Sequence, residues 1–152
     1  MKRLSNLLAA LVFASLVIFM SCGGGGDDPA PDPLDEISAD LTVTGWATPT
    51  TVQTDGGTAD GDWSGFTINF TGTKDGGTYT VSGVPTGFSD VWANGSWTFG
   101  NATGSVITKV QGGVSTDMTA SISDNSLSLE FQVTESTART SGITGEWTFV
   151  FN

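Results

Sequence analysis

The sequence predicts an all-β, antiparallel domain of about eight strands in a meander, arranged as a small up-and-down, lipocalin-like barrel or a two-sheet β-sandwich. Three observations carry that expectation. Short runs alternate apolar and polar residues with period two, the signature of strands with one face on a core and one in water. Gly, Asp and Asn clusters separate the runs at near-regular spacing, as hairpin turns require. Helix signals are almost absent over the same stretch.

The expected strands run near 39–46, 65–72, 77–83, 95–100, 104–110, 114–123, 126–134 and 143–151. In the first, Leu41 and Val43 share one face, and Trp46 falls on the other with Thr42 and Thr44. FTINFT sets Phe66, Ile68 and Phe70 opposite Thr67, Asn69 and Thr71. TYTVS sets Tyr79 and Val81 opposite Thr78, Thr80 and Ser82. TDMTASIS turns Met118, Ala120 and Ile122 inward. SLSLEFQVT is the clearest alternation, with Leu127, Leu129, Phe131 and Val133 against Ser128, Glu130, Gln132 and Thr134. WTFVF closes the chain with Trp147, Phe149 and Phe151 on one face. Turns are expected at Lys74–Gly77, where Asp75-Gly76 suits a primed hairpin turn, at Asn101–Gly104 and at Ser123–Ser126. An inward list this rich in large side chains predicts a filled interior, since a small barrel is just wide enough for side chains to occupy.

Gly-x-Trp occurs three times, at Gly61-Asp62-Trp63, Gly95-Ser96-Trp97 and Gly145-Glu146-Trp147. In the last two copies Trp and the following Phe alternate onto one face, which reads as core packing behind a strand entrance. The motif and the strand count are similar to those of lipocalins, where a Gly-x-Trp in the first strand plugs one barrel end. Here the best copy is in the last strand, so the similarity implies architecture alone.

Upstream of the domain the chain opens MKRLSNLLAALVFASLVIFMSC. Lys2 and Arg3 precede an apolar run from Leu7 to Met20, shorter than the roughly 20 residues of a membrane span and suited to a signal peptide. Small Ser21 stands before Cys22, the single cysteine. The arrangement resembles a bacterial lipoprotein signal with its lipobox, carrying Phe19 where Leu is most usual. The GGGGDDPAPDPLDE that follows resembles the leader of Bacteroidota surface lipoproteins. The resemblance implies acylation of Cys22 and an outer-membrane location, exposed at the cell surface. The implied organisation is a signal peptide at 1–21, a lipidated Cys and Gly/Pro-rich tether at 22–38, and one β domain at 39–152.

All 16 acidic residues follow Cys22, and only Lys74, Lys109 and Arg139 oppose them. Nucleic acid is therefore not an expected partner, because both bodies are strongly negative. The expected partners are the membrane, through the anchor, and a glycan or an outer-membrane protein complex. The sequence contains no His, which excludes His-based triads. The domain is read as non-catalytic.

Candidate binding residues are aromatics off the core rhythm: Trp46, and Phe88 and Trp92 in the Gly/Pro-bearing connection VPTGFSDVWANG. Exposed Trp on a loop would stack on a sugar ring; the competing reading folds Phe88 and Trp92 back over one barrel end. Asp55, Asp60 and Asp62 are candidate Ca²⁺ ligands, set against ordinary Asp-Gly turn chemistry. No other cofactor is expected. Three functions remain open from sequence. They are a glycan-binding or accessory surface lipoprotein, a carrier of a small apolar ligand, and a structural or adhesive module.

Overall fold

A computed structural model describes residues 30–43, 45–123, 125–134 and 143–152. The expected signal peptide and Cys22 lie outside the described residues. Among the described residues the domain is one curled antiparallel sheet of ten strands forming a half-barrel, with one α-helix before it. The strands are β1 (Trp46–Ala47), β2 (Thr51–Thr54), β3 (Gly57–Thr58), β4 (Thr67–Thr73), β5 (Gly76–Ser82), β6 (Gly95–Phe99), β7 (Val106–Gln111), β8 (Val114–Ser123), β9 (Ser126–Val133) and β10 (Gly145–Phe151). From β4 to β10 each strand pairs with the next in sequence, which is the expected meander.

The helix, α1 (Pro33–Thr42), corrects the expected first strand and occupies the end of the expected tether. Its start is written in the sequence. Asp32 is the N-cap and its Oδ1 accepts from Leu34 N at 3.0 Å, while Pro33 takes the first turn, where its missing N–H is no loss. Asp35 and Glu36 add negative charge at the positive end of the helix dipole. Lys74, on the β4–β5 hairpin, reaches Asp32 at 3.6 Å and Asp75 at 3.3 Å. The helix packs against β4 and β8 and buries Leu41, whose carbonyl oxygen accepts from Trp46 Nε1 at 3.1 Å. Leu41 and Trp46 are therefore both buried, although strand parity put them on opposite faces.

Segment 46–54 bends the sheet on itself. β1 pairs with β4 at one end of the strand order, and β2 pairs with β10 near the other. Between them Thr48 N donates to Phe66 O at 2.9 Å, and Thr50 N donates to Val150 O at 2.7 Å. Thr48 turns the chain at φ 50°, a left-handed conformation that a β-branched residue adopts only under constraint. The hairpin β2–β3 turns through Asp55-Gly56, both with positive φ, and β7–β8 turns through Gly112-Gly113 likewise. At Lys74-Asp75 the positive φ falls on Gly76 alone, so the primed turn expected there is absent.

The alternation predicted for the strands holds. Ile68 and Phe70, Tyr79, Met118 and Ala120, Leu127, Leu129 and Phe131, and Trp147, Phe149 and Phe151 are all buried in one core. Two long connections add to it: Trp63 and Phe66 come from 59–66, and Val91 and Trp92 from 84–94. Phe149 is the hub, with ring centroids 5.0 Å from Trp63, 5.8 Å from Trp92 and 6.2 Å from Phe131. The first two contacts are edge-on, an arrangement that gains a further ~0.5–1.5 kcal/mol per pair beyond area burial. β10 supplies that hub from between β9 and β2, so GEWTFVF is a closing strand and a core plug at once.

Candidate functional site

The aromatic residues singled out as surface platforms do not form one. Trp46 and Trp92 retain only 5% and 1% of their surface, too little for a sugar ring to stack on either face. Phe88 is half-buried, with its ring 5.5 Å from Trp63 and 5.8 Å from Trp147. A helical turn brings it there: Phe88 N donates to Pro85 O, and Val91 N and Trp92 N both donate to Phe88 O. Apolar burial wins because Phe88 and Trp92 both meet rings of the core, which takes their apolar surface out of water. The reading in which this segment covers the core is the one the structure adopts.

The calcium candidates are corrected as well. Among the described residues no group of three acidic side chains is placed to hold a metal ion. Each aspartate instead holds protein backbone or side-chain donors: Asp55 ties its hairpin to β10, and Asp60 and Asp62 serve their local turn. Asp55 Oδ1 accepts from Glu146 N at 2.8 Å, Asp62 Oδ1 accepts from Ser64 N at 3.0 Å, and Asp60 offers its backbone carbonyl to Trp63 Nε1 at 2.9 Å. The Ser64 hydrogen bonds hold the Asp62 carboxyl below its ordinary range.

A different site lies at the mouth of the half-barrel, between segment 89–94 and the β7–β8 hairpin. The inward register of that hairpin steps from Ile107 opposite Met118, through Lys109 opposite Thr116, to Gln111 opposite Val114. The first pair is fully buried and Val114 is exposed, so polarity rises toward the mouth. Here the chain encloses a groove of about 560 Å³, within the size range of small-molecule sites. Lys109 and Thr116 lie along it, with Gln132 and Thr134 at the end of β9 and Asn94 and Asp90 on the covering segment.

Three side chains pin that covering segment. Gln111 accepts from Ala93 N through Oε1 at 2.8 Å and donates from Nε2 to Ser89 O at 2.8 Å and Asp90 O at 3.3 Å. Asn94 Oδ1 accepts from Val81 N at 2.9 Å. Lys109 Nζ donates to Val91 O at 2.6 Å. The groove wall is therefore rigidly held, while Thr116, Gln132 and Thr134 make no side-chain hydrogen bond among the described residues.

Lys109 is the electrostatic centre of the site. It is buried to 2% exposure, and its Nζ lies 3.9 Å from the Phe131 ring centroid and 4.3 Å from that of Trp92. Both ring faces attract an ammonium, and so does the Val91 carbonyl. Desolvation opposes them and pushes the amine down to about 7. Nearby, Tyr79 OH and Trp92 Nε1 are buried without a hydrogen-bond partner among the described residues. Burial pushes the Tyr79 phenol up to about 12.

Sequence reasoning passed over this groove. Its signal is the run VITKVQ, where Lys109 and Gln111 continue the inward parity of Ile107. Val106 and Val110, half-buried on the outward face, make that parity ambiguous by composition alone. In comparisons with known proteins, no family model matches the chain, and no curated protein or solved structure matches it significantly.

Proposed function

We propose that this chain is a surface-exposed lipoprotein, anchored to the outer membrane through acylated Cys22, whose β domain binds a glycan non-catalytically in the groove at the half-barrel mouth. The observation that carries the reading is the groove itself, of ligand size, rigidly walled, and edged by hydroxyl and amide groups not consumed by the fold. Sugars are recognised by such groups through hydrogen bonds to ring hydroxyls. The packed aromatic interior supports this over an internal carrier of a small apolar ligand. The Gly/Pro-rich leader and the acidic character of the chain fit a domain held away from the membrane.

The anchor is tested by mass spectrometry of the native N-terminus. Acyl chains on Cys22, lost with membrane retention in Cys22→Ser, are expected; an unmodified thiol would exclude the lipoprotein reading. The groove is tested by retention of the purified lipoprotein, in detergent, on a broad glycan panel. Gln132→Ala with Thr116→Val is expected to abolish retention with the melting temperature nearly unchanged. Absence of retention on the whole panel, with co-purification of a membrane complex, would make the chain an accessory subunit instead.

A second reading, an adhesive module, draws on the outward face. There Thr67 and Ser82 pair hydroxyls at 2.6 Å and Thr71 and Thr78 at 2.9 Å, forming polar rows across β4 and β5.

A further inference from the structure

The floor of the groove constrains what can fill it. Lys109 is the cation there, and among the described residues its Nζ has a backbone carbonyl and two ring faces as neighbours but no carboxylate. An ammonium carries three donors, and one is used on Val91 O. Thr116, directly opposite on β8, adds a hydroxyl that makes no hydrogen bond among the described residues. A buried cation without a counter-charge, facing an unassigned hydroxyl in a ligand-sized groove, is complementary to an anionic, hydrogen-bond-accepting group.

We propose that the groove selects a sugar bearing a carboxylate, a uronic-acid type of residue, with the acid group seated against Lys109 and Thr116. This rests on the glycan reading and narrows it. The surrounding groups allow it. From β6 Lys109 faces Trp97, from β8 Thr116, from β9 Phe131, and from the covering segment Val91 and Trp92. Asp90, on the same segment, is the carboxylate that lines the groove. Tyr79, beside Trp92, stays neutral throughout the working range because its phenol is raised. Asp117 is exposed and bonded to outward Thr108, and Glu130 is exposed on the outward face of β9. The acidic surface repels an anion at long range, but screening confines that field to about 8 Å at physiological salt. Inside the groove Lys109, the buried cation among the described residues, dominates.

A seated carboxylate favours the ammonium form of Lys109, so binding near pH 8 must draw a proton from solution. The test is calorimetry of the full lipoprotein in detergent with oligogalacturonate and with a neutral galacto-oligosaccharide of equal length. Titrations run at pH 8 in two buffers of different ionisation enthalpy. The acidic sugar is expected to bind at least about tenfold more tightly, and with net proton uptake. Lys109→Met should erase both the preference and the uptake. If that variant fails to fold, the ¹³Cε shift of Lys109 in the unaltered protein gives the same answer, its titration midpoint moving up with the acidic sugar. Equal affinities with no proton uptake would overturn the carboxylate assignment and leave the glycan reading standing. Binding of neither sugar nor any other glycan would overturn both.

Discussion

Lys109 donates from Nζ to the carbonyl oxygen of Val91 at 2.6 Å, tying the middle of β7 to the connection that covers the core. The tie is made by a charge where Ile107, two residues earlier, is a fully buried hydrocarbon. Removing the charge and removing the volume should have different consequences. Lys109→Met keeps the unbranched stem against Trp92 and Phe131 and removes the desolvation cost, so stability should change by less than about 1.5 kcal/mol or rise. Lys109→Ala leaves a cavity under two rings and should cost about 2–4 kcal/mol. Urea denaturation of both variants separates the two effects.

The same residue predicts an unusual pH profile. Its folded value, about 7, lies below the ordinary 10.5, so between those values the unfolded chain binds more protons than the native one. Stability must therefore rise as pH increases from about 7 towards 10.5. Tyr79 acts in the opposite sense higher up. Its phenol, at about 12 against an ordinary 10.0, holds its proton longer in the folded state, so stability falls as pH rises above 10. Urea midpoints from pH 6.5 to 11 should peak near pH 10, and Lys109→Met should remove the rising limb. A flat profile between pH 7 and 9.5 would contradict the burial of the amine.

Gly145 opens β10 at φ 136°, and a Cβ there would stand 2.6 Å from Asp55 Oδ2. Asp55 holds the neighbouring Glu146 N with its other oxygen, so the carboxylate cannot simply withdraw. Gly145→Ala is expected to destabilise by about 1–3 kcal/mol through backbone strain and the displaced carboxylate. Asp55→Ala should cost about 1–2 kcal/mol, since it leaves Glu146 N, at the start of β10, without this acceptor. Added Ca²⁺ should not shift the melting temperature of either variant relative to the parent.

Much of the fold was legible because water and core impose period two on a strand. SLSLEFQVT and GEWTFVF bury the residues their alternation selects, and all three Gly-x-Trp tryptophans are core residues. The helix was legible too, in Asp32-Pro33 followed by Asp35 and Glu36, but the Pro-rich leader before it suggested a tether. Trp46 and Trp92 were misplaced for a physical reason: Trp92 enters the core from irregular backbone, and Trp46 heads a two-residue strand that follows a helix, so parity counted from Leu41 and Val43 carries no information about direction. The groove was illegible because its members come from three separated segments, and only the register of β7 and β8 turns Lys109 and Thr116 to the same side.

Where a ligand touches the domain decides between the groove and the outward face. Amide chemical-shift mapping of the ¹⁵N-labelled protein, titrated with glycans retained on the panel, measures that. Perturbations are expected to cluster at 89–94, 109–116 and 132–134, with the outward rows of β4 and β5 silent. Perturbations confined to Thr67, Thr71, Thr78 and Ser82, with the groove unmoved, would contradict the groove reading.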